Sequence, residues 1–211
     1  MNTNKMTLFW QQGLAKLNCT PTDEQLNKLK QYIVLLDRWN KTYNLTAIRD
    51  PQQMIPLHIF DSLAVAPYIK GKTCLDIGSG AGLPGIPLAI IQPQRIFTLL
   101  DSNGKKTRFM QQAVIELNLK NTSVVQVRAE KWQTASKFNT IISRAFASIA
   151  DFVRVSSYHL SENGQILAMK GVFPQQELTD LPNSFIVEYS KTLRIPEVSA
   201  NRCIIKLIKK T

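Results

Sequence analysis

The chain has 211 residues with ordinary globular usage, 44% apolar and 19% charged, a size that suits one domain able to bury a core without disulfides or metal. Its three cysteines, Cys19, Cys74 and Cys203, are too few and too scattered for a disulfide frame or a zinc site, and no metal is expected. With 26 Lys plus Arg against 15 Asp plus Glu the formal charge is +11, which favours polyanionic partners, nucleic acid or anionic membrane, although basic proteins without either are common.

Residues 1–70 read as helical. The start, Met1 to Lys5, is polar and lacks the form of a signal peptide. No run approaches the roughly 18 apolar residues of a membrane span, so a cytoplasmic chain is expected. Thr22 with Gln25 fits a capping box, and Thr20 before Pro21 is an equally good helix start. Leu26, Leu29, Ile33, Leu36 and Tyr43 then recur at three- and four-residue spacing, one apolar helix face. A second helix is predicted over His58–Tyr68, ending near Gly71.

From residue 72 short apolar runs alternate with helical ones. Strands are predicted at Thr73–Ile77, Ile96–Leu100, Ser123–Val127, Thr140–Ser143, Gln165–Met169, Phe185–Lys191 and Cys203–Ile208. The first five are separated by helices near Pro84–Ile91, Lys105–Asn118, Glu130–Ala135 and Ile149–Tyr158. Such alternation implies a parallel sheet with helices on both faces. No helix separates the last two runs, which suggests an antiparallel pair. The expected fold is α/β and Rossmann-like: a seven-stranded, mostly parallel sheet with an antiparallel final strand. A helical extension, 1–70, is expected to pack on a core, 71–211, as one compact unit.

In such a sheet ligands bind beyond the carboxyl ends of the strands, and the unusual residues lie there. The first strand runs into CLDIGSGAGLPGIPL, Cys74 to Leu88. Gly78, Gly80 and Gly82 allow positive φ and close approach of a ligand to the backbone; Ser79 and Ala81 are the small residues between them. The following helix presents free N–H groups. Gly80, Gly82 and Gly85 also match the dinucleotide pattern G-x-G-x-x-G. Asp76, two residues before the first glycine, would repel a pyrophosphate but suits the cationic amine of S-adenosylmethionine, and nothing downstream looks like a dehydrogenase site. Asp101, at the end of the second strand and 19 residues after Gly82, suits the ribose hydroxyls of either cofactor. It also fits an N-cap, as do Ser102 and Asn103. At the third strand end, Ala129 and Glu130 fit an adenine edge and a helix start equally.

The fourth strand runs into Ser143-Arg144-Ala145-Phe146. Methyltransferases acting on exocyclic amines often carry Asn/Asp-Pro-Pro-Tyr/Phe here, and pyrimidine C5 enzymes need a cysteine absent from this region. A ring nitrogen with a free lone pair, such as guanine N7, needs no general base, only positioning and charge balance. Arg144 suits guanine O6 or a phosphate. Phe146 suits base stacking or plain core packing. Lys170 at the fifth strand end suits RNA phosphate or the base, with Arg128, Lys105, Lys106, Arg108 and Arg202 as a basic rim. His58 and Asp61, one helical turn apart, fit either the cleft or packing.

Taken jointly, RWNKTYNLTAIRDPQQM from Arg38, HIFDSL from His58, DIGSGAGLPGIPLAI from Asp76, LLDSNGKKTRF from Leu99, SRAFAS from Ser143 and Lys170-Gly171 make the chain resemble the bacterial glucose-inhibited division protein B family. The resemblance spans nearly the whole chain. It implies a class I methyltransferase that uses S-adenosylmethionine to methylate N7 of guanine 527 in the 530 loop of 16S rRNA, within a 30S particle. It implies cofactor contacts at Gly78, Leu83, Ala129, Glu130 and Arg144. Arg128, Lys170 and Arg202 fall where the family has basic residues near substrate. A monomer is expected. A nicotinamide-dependent oxidoreductase and a non-catalytic RNA-binding protein are the alternatives.

Overall fold

A computed structural model describes residues 3–144, 146 and 148–210. Ala145 and Ala147 of the SRAFAS motif lie outside the described residues.

The helical extension opens with α1 (Thr3–Lys16) and α2 (Asp23–Tyr43). Of the two possible starts for α2, Thr22 is the cap. Its hydroxyl accepts from Gln25 N at 3.2 Å, and Gln25 Oε1 accepts from Thr22 N at 2.9 Å, so two otherwise orphaned donors are satisfied. The predicted face buries Leu29, Ile33 and Leu36, joined by Tyr32, Leu35 and Asn40; Tyr43 ends the helix exposed. Each large apolar side chain removed from water here contributes roughly 1.5–3 kcal/mol.

The single helix predicted over His58–Tyr68 does not form. α3 (Pro51–Met54) leads into a π-helical turn, Ile55–Phe60, then α4 (Asp61–Leu63) and a 3₁₀ turn, Ala66–Tyr68. Pro56 and Pro67 lack the N–H that a regular helix needs, and each falls in one of these wider or tighter turns.

The sheet contains β1 (Thr73–Ile77), β2 (Ile96–Asp101), β3 (Thr122–Gln126), β4 (Phe138–Ser143), β5 (Leu160–Lys170), β6 (Phe185–Thr192) and β7 (Cys203–Lys209). Their order is β3-β2-β1-β4-β5-β7-β6. The first five pair in parallel, and β7 inserts antiparallel between β5 and β6. The final strand is therefore the reversed one, as the sequence predicts.

Strand residues alternate between two apolar clusters. Cys74, Phe97, Leu99 and Ile142 face α2, α5 (Gly85–Ile91) and α6 (Gly104–Glu116). Leu75, Leu100, Ile141 and Ile166 face α7 (Ile149–Ser157). The helix predicted at Glu130–Ala135 is reduced to a 3₁₀ turn, Ala129–Lys131. The Trp132 ring packs against Phe138 and His159, with centroids at 6.0 and 5.0 Å, and the Thr134 hydroxyl accepts from Ser136 N. Packing and a local side-chain bond together hold the β3–β4 connection out of helical form. Because β2 and β4 lie on opposite sides of β1, a crevice opens at the carboxyl ends of β1 and β4.

Candidate active site

The glycine loop after β1 is stapled to the end of β2. Gly78 N and Ser79 N donate to Leu100 O at 2.8 and 3.1 Å, and Leu100 N donates to the Ser79 hydroxyl at 3.1 Å. Ser79 O accepts from both Gly82 N and Leu83 N. Gly78, Gly80 and Gly82 have φ of 71°, 61° and 83°, a backbone that L side chains rarely adopt. A Cβ on Gly78 would meet no atom within 4 Å, whereas one on Gly85 would sit 2.2 Å from Leu99 Cδ2 and 2.8 Å from Asp76 Oδ2. The first glycine borders open space and the last makes room for packing. From the other side Tyr32 Oη donates to Ala81 O at 2.6 Å, so α2 holds the loop from below.

Asp76 is fully buried. Its Oδ2 accepts from Gly85 N at 2.8 Å, and its Oδ1 has no partner among the described residues. Burial pushes the carboxyl up to about 7, against the opposing pull of the Gly85 amide and of Arg144. A buried carboxylate with one idle oxygen beside an open backbone cradle suits a cationic ligand group. Asp101 joins the loop differently: Oδ2 accepts from Gly80 N and Oδ1 from Asn103 N, both at 2.8 Å. The cap of α6 is Asn103, whose Oδ1 accepts from Lys105 N and Lys106 N, so Asp101 is not spent on capping. Leu83 is buried with its N–H engaged, and it contributes packing under the loop.

A cavity of about 510 Å³ lies beyond Gly78, lined also by Glu130, Ser143, Phe146, Asp151, Arg154 and Val155. Glu130, Arg154 and Val155 also line a groove of about 530 Å³ that runs on past Ala129 and Trp132. Phe146 lines the first cavity while its ring packs on Phe152, with centroids 5.1 Å apart. The packing reading of Phe146 has geometry behind it, and the residue also borders the first cavity.

On the other side of Ser143 lies a second cavity, about 270 Å³, between Ile48, Leu57, His58, Asp61, Arg144, Met169, Lys170, Gly171 and Arg202. Residues far apart in sequence converge here. Asp61 is buried and shared by two arginines, with Oδ1 2.9 Å from Arg202 Nε and Oδ2 3.3 Å from Arg144 Nη1. Arg144 Nη1 also donates to Leu57 O. His58 Nε2 lies 2.9 Å from Thr46 Oγ1, and Nδ1 lies 2.9 Å from Leu57 O. Burial, reinforced by the Arg144 charge, lowers its pKa to about 4, so the ring is neutral at pH 7. Asn40 shapes the loop that carries Thr46, accepting from Thr46 N and donating to Ile48 O. Lys170 is paired to Glu177 at 2.7 Å and donates to Phe146 O.

Of the residues singled out in the sequence, Asp76, Gly78, Ser79, Gly80, Gly82 and Asp101 are brought together at the loop. His58, Asp61, Arg144, Lys170 and Arg202 are brought together in the second cavity. Ala129 and Glu130 border the groove. Arg128 is exposed at the end of β3 and lines neither cavity at the end of β4. Sequence reasoning missed Tyr32, Thr46 and Glu177. Tyr32 and Glu177 lie in no motif, and Thr46, although within the Arg38–Met54 motif, acts through His58 in another element, a contact that the motif does not announce.

The fold is shared with solved methyltransferases. The structure of TrmN from Thermus thermophilus superposes with a TM-score of 0.59 at 17% identity, over 74% of this chain and 49% of that longer one. The glycopeptide N-methyltransferase MtfA complexed with S-adenosyl-L-methionine superposes at 0.62 and 10% identity, over 72% of this chain and 94% of that one. Sheet order and glycine loop thus give the chain the Rossmann-like fold of class I methyltransferases. Sequence narrows this further. The profile of the GidB family, rRNA small subunit methyltransferase G, matches residues 25–205, and the chain belongs to that family. It is 47% identical to the ribosomal RNA small subunit methyltransferase G of Psychromonas ingrahamii, over 88% of this chain and 90% of the relative. Identity to that of Nitrosococcus oceani is 48%, over 93% and 92%.

Proposed function

We propose that the chain transfers the methyl group of S-adenosylmethionine to N7 of a guanine in 16S ribosomal RNA, guanine 527 of the 530 loop, with a 30S subunit or assembly intermediate as substrate. When bound in the cradle, S-adenosylmethionine supplies an electrophilic methyl group. Asp76 would hold the cationic amine. Gly78, Ser79, Gly80, Gly82 and Leu83 would form the floor, Asp101 would hold the ribose, and Ala129 with Glu130 would border the adenine end. Arg144 follows β4 directly after Ser143, which lines the first cavity, and itself lines the second; in this reading it serves both cofactor and RNA.

The observation that carries the N7 reading is that, among the described residues, the bases lining the second cavity, and Glu177 beside it, are engaged. Asp61 is held by two arginines, Glu177 by Lys170, and the neutral His58 ring has a partner at each nitrogen. A reaction that had to strip a proton from an exocyclic amine would need one of them free. Guanine N7 carries a lone pair and no proton. Arg144 then serves by holding O6 and Lys170 by balancing charge, while His58, Asp61 and Arg202 line the RNA site, Phe146 borders it through its carbonyl on Lys170, and Arg128 lies on the exposed surface outside it. The basic charge agrees with a ribosome-modifying enzyme, and a cytoplasmic location belongs to the same reading; among the described residues no helix is long and apolar enough to cross a membrane.

Transfer of labelled methyl to 30S particles, followed by mapping of the modified nucleotide, tests this reading. Label recovered as 7-methylguanosine in 16S rRNA is expected. Label in protein, or at an exocyclic amine, would overturn it.

A further inference from the structure

We propose that Glu177 occupies the seat of an RNA phosphate. The seat consists of Lys170 Nζ and the amide N–H of Ile149, and a backbone phosphate of the substrate takes it by displacing the Glu177 carboxylate. The inference rests on the reading that the substrate is RNA.

Both Glu177 oxygens lie on Lys170 Nζ, at 3.0 and 2.7 Å, and Oε2 also accepts from Ile149 N at 2.9 Å. An ammonium and a backbone amide from the first turn of a helix are donors that a phosphate oxygen takes. Lys170 is largely covered, its side chain 15% exposed, and it lines the cavity that holds Arg144 and Arg202. The seat is thus continuous with the proposed base site.

The three cations of this cavity are neutralised in two different ways. Arg144 and Arg202 share Asp61, whose side chain is 3% exposed and belongs to the buried wall. Lys170 has Glu177, which is 31% exposed and comes from a one-turn 3₁₀ segment, Gln175–Leu178, in the connection between β5 and β6. That connection leaves Val172 and Phe173 exposed at its start, while Leu178 and Leu181 pack on the core, so the backbone of the turn is held and the Glu177 side chain is the part that can swing away. Removing Asp61 would strand two arginines within the wall. Removing Glu177 leaves Lys170 its bond to Phe146 O and an ammonium charge on the lining of the cavity, not a charge stranded in the wall. A phosphodiester carries one negative charge, as the carboxylate does, so the exchange keeps the cavity balanced. Glu177 therefore lowers RNA affinity and screens the empty site from other anions.

The test is binding of 30S particles to the full chain and to E177Q, K170M and the double variant, across a salt series, with S-adenosylmethionine affinity measured alongside. E177Q keeps the size of the side chain and an oxygen for the Ile149 amide. It is expected to bind about three- to ten-fold tighter, the scale of one partly exposed ion pair. K170M is expected to bind more weakly and to lose about 0.7–0.9 from the slope of log K against log salt, one phosphate contact. In the double variant the gain from E177Q should vanish. Equal or weaker binding by E177Q makes Glu177 a structural strut and overturns the proposal, as does a gain that survives in the K170M background. If E177Q does not fold, the K170M slope decides, and an unchanged slope overturns it. Failure of the wild-type chain to bind 30S particles would instead sink the functional reading on which this one rests.

Discussion

Asp76 is the residue whose chemistry the fold alters most. Its carboxyl titrates near 3.8 in an open chain and is held up to about 7 by burial. A raised carboxyl stabilises the folded state fully below pH 4, and that contribution is lost as pH rises towards 7. Placing a cationic amine against the idle oxygen favours the ionised form, so donor binding at pH 6 should release a proton. Calorimetric titrations in two buffers of different ionisation heat should therefore differ, and Asp76→Asn should abolish the difference; identical heats for the wild type would remove Asp76 from amine recognition. His58 behaves with the opposite sign. Its pKa falls to about 4 on folding, so its contribution is complete above about pH 6.5 and is lost as pH drops through 4. Urea melts of His58→Gln should show less acid destabilisation over that window than the wild type.

At the scale of elements, the glycine loop separates space for packing from space for a ligand. Gly85→Ala drives a Cβ into Leu99 and Asp76 and is expected to cost several kcal/mol, on the scale of about 1–3 for overpacking plus the loss of a buried hydrogen bond. Gly78→Ala strains only φ, by roughly 1–2 kcal/mol, but fills the open cradle. Thermal melts should rank Gly85→Ala as much the less stable, while calorimetry should show Gly78→Ala folded with weakened donor binding. The reverse ranking would contradict the assignment of the cradle. Thr22→Ala removes the cap of α2 and should cost about 0.5–2 kcal/mol, visible as a drop of roughly 2–4 °C in Tm per kcal/mol. The glycines, the capping box and most strands are legible in the sequence because each follows a local rule of spacing or residue type. The Glu130–Ala135 helix misled because its propensity was outweighed by Trp132 docking on Phe138 and His159.

At the scale of the molecule, the charge of +11 acts on association rather than on the fold. Apparent affinity for 30S particles should fall steeply with salt, by about 0.9 log units per log unit of salt for each duplex phosphate contact; a flat response would leave the basic rim without a role in binding. The sequence alone determined the α/β alternation, the reversed last strand and the glycine loop with Asp76 and Asp101, since periodicity and short motifs are local and survive without contacts. Only the tertiary structure decided that Asp61 clamps Arg144 and Arg202, that His58 is neutral against Thr46, that Tyr32 props the loop and that Glu177 covers Lys170. Those pairings join positions up to 141 residues apart, and side-chain chemistry gives no sign of a distant partner until the sheet order brings the two together.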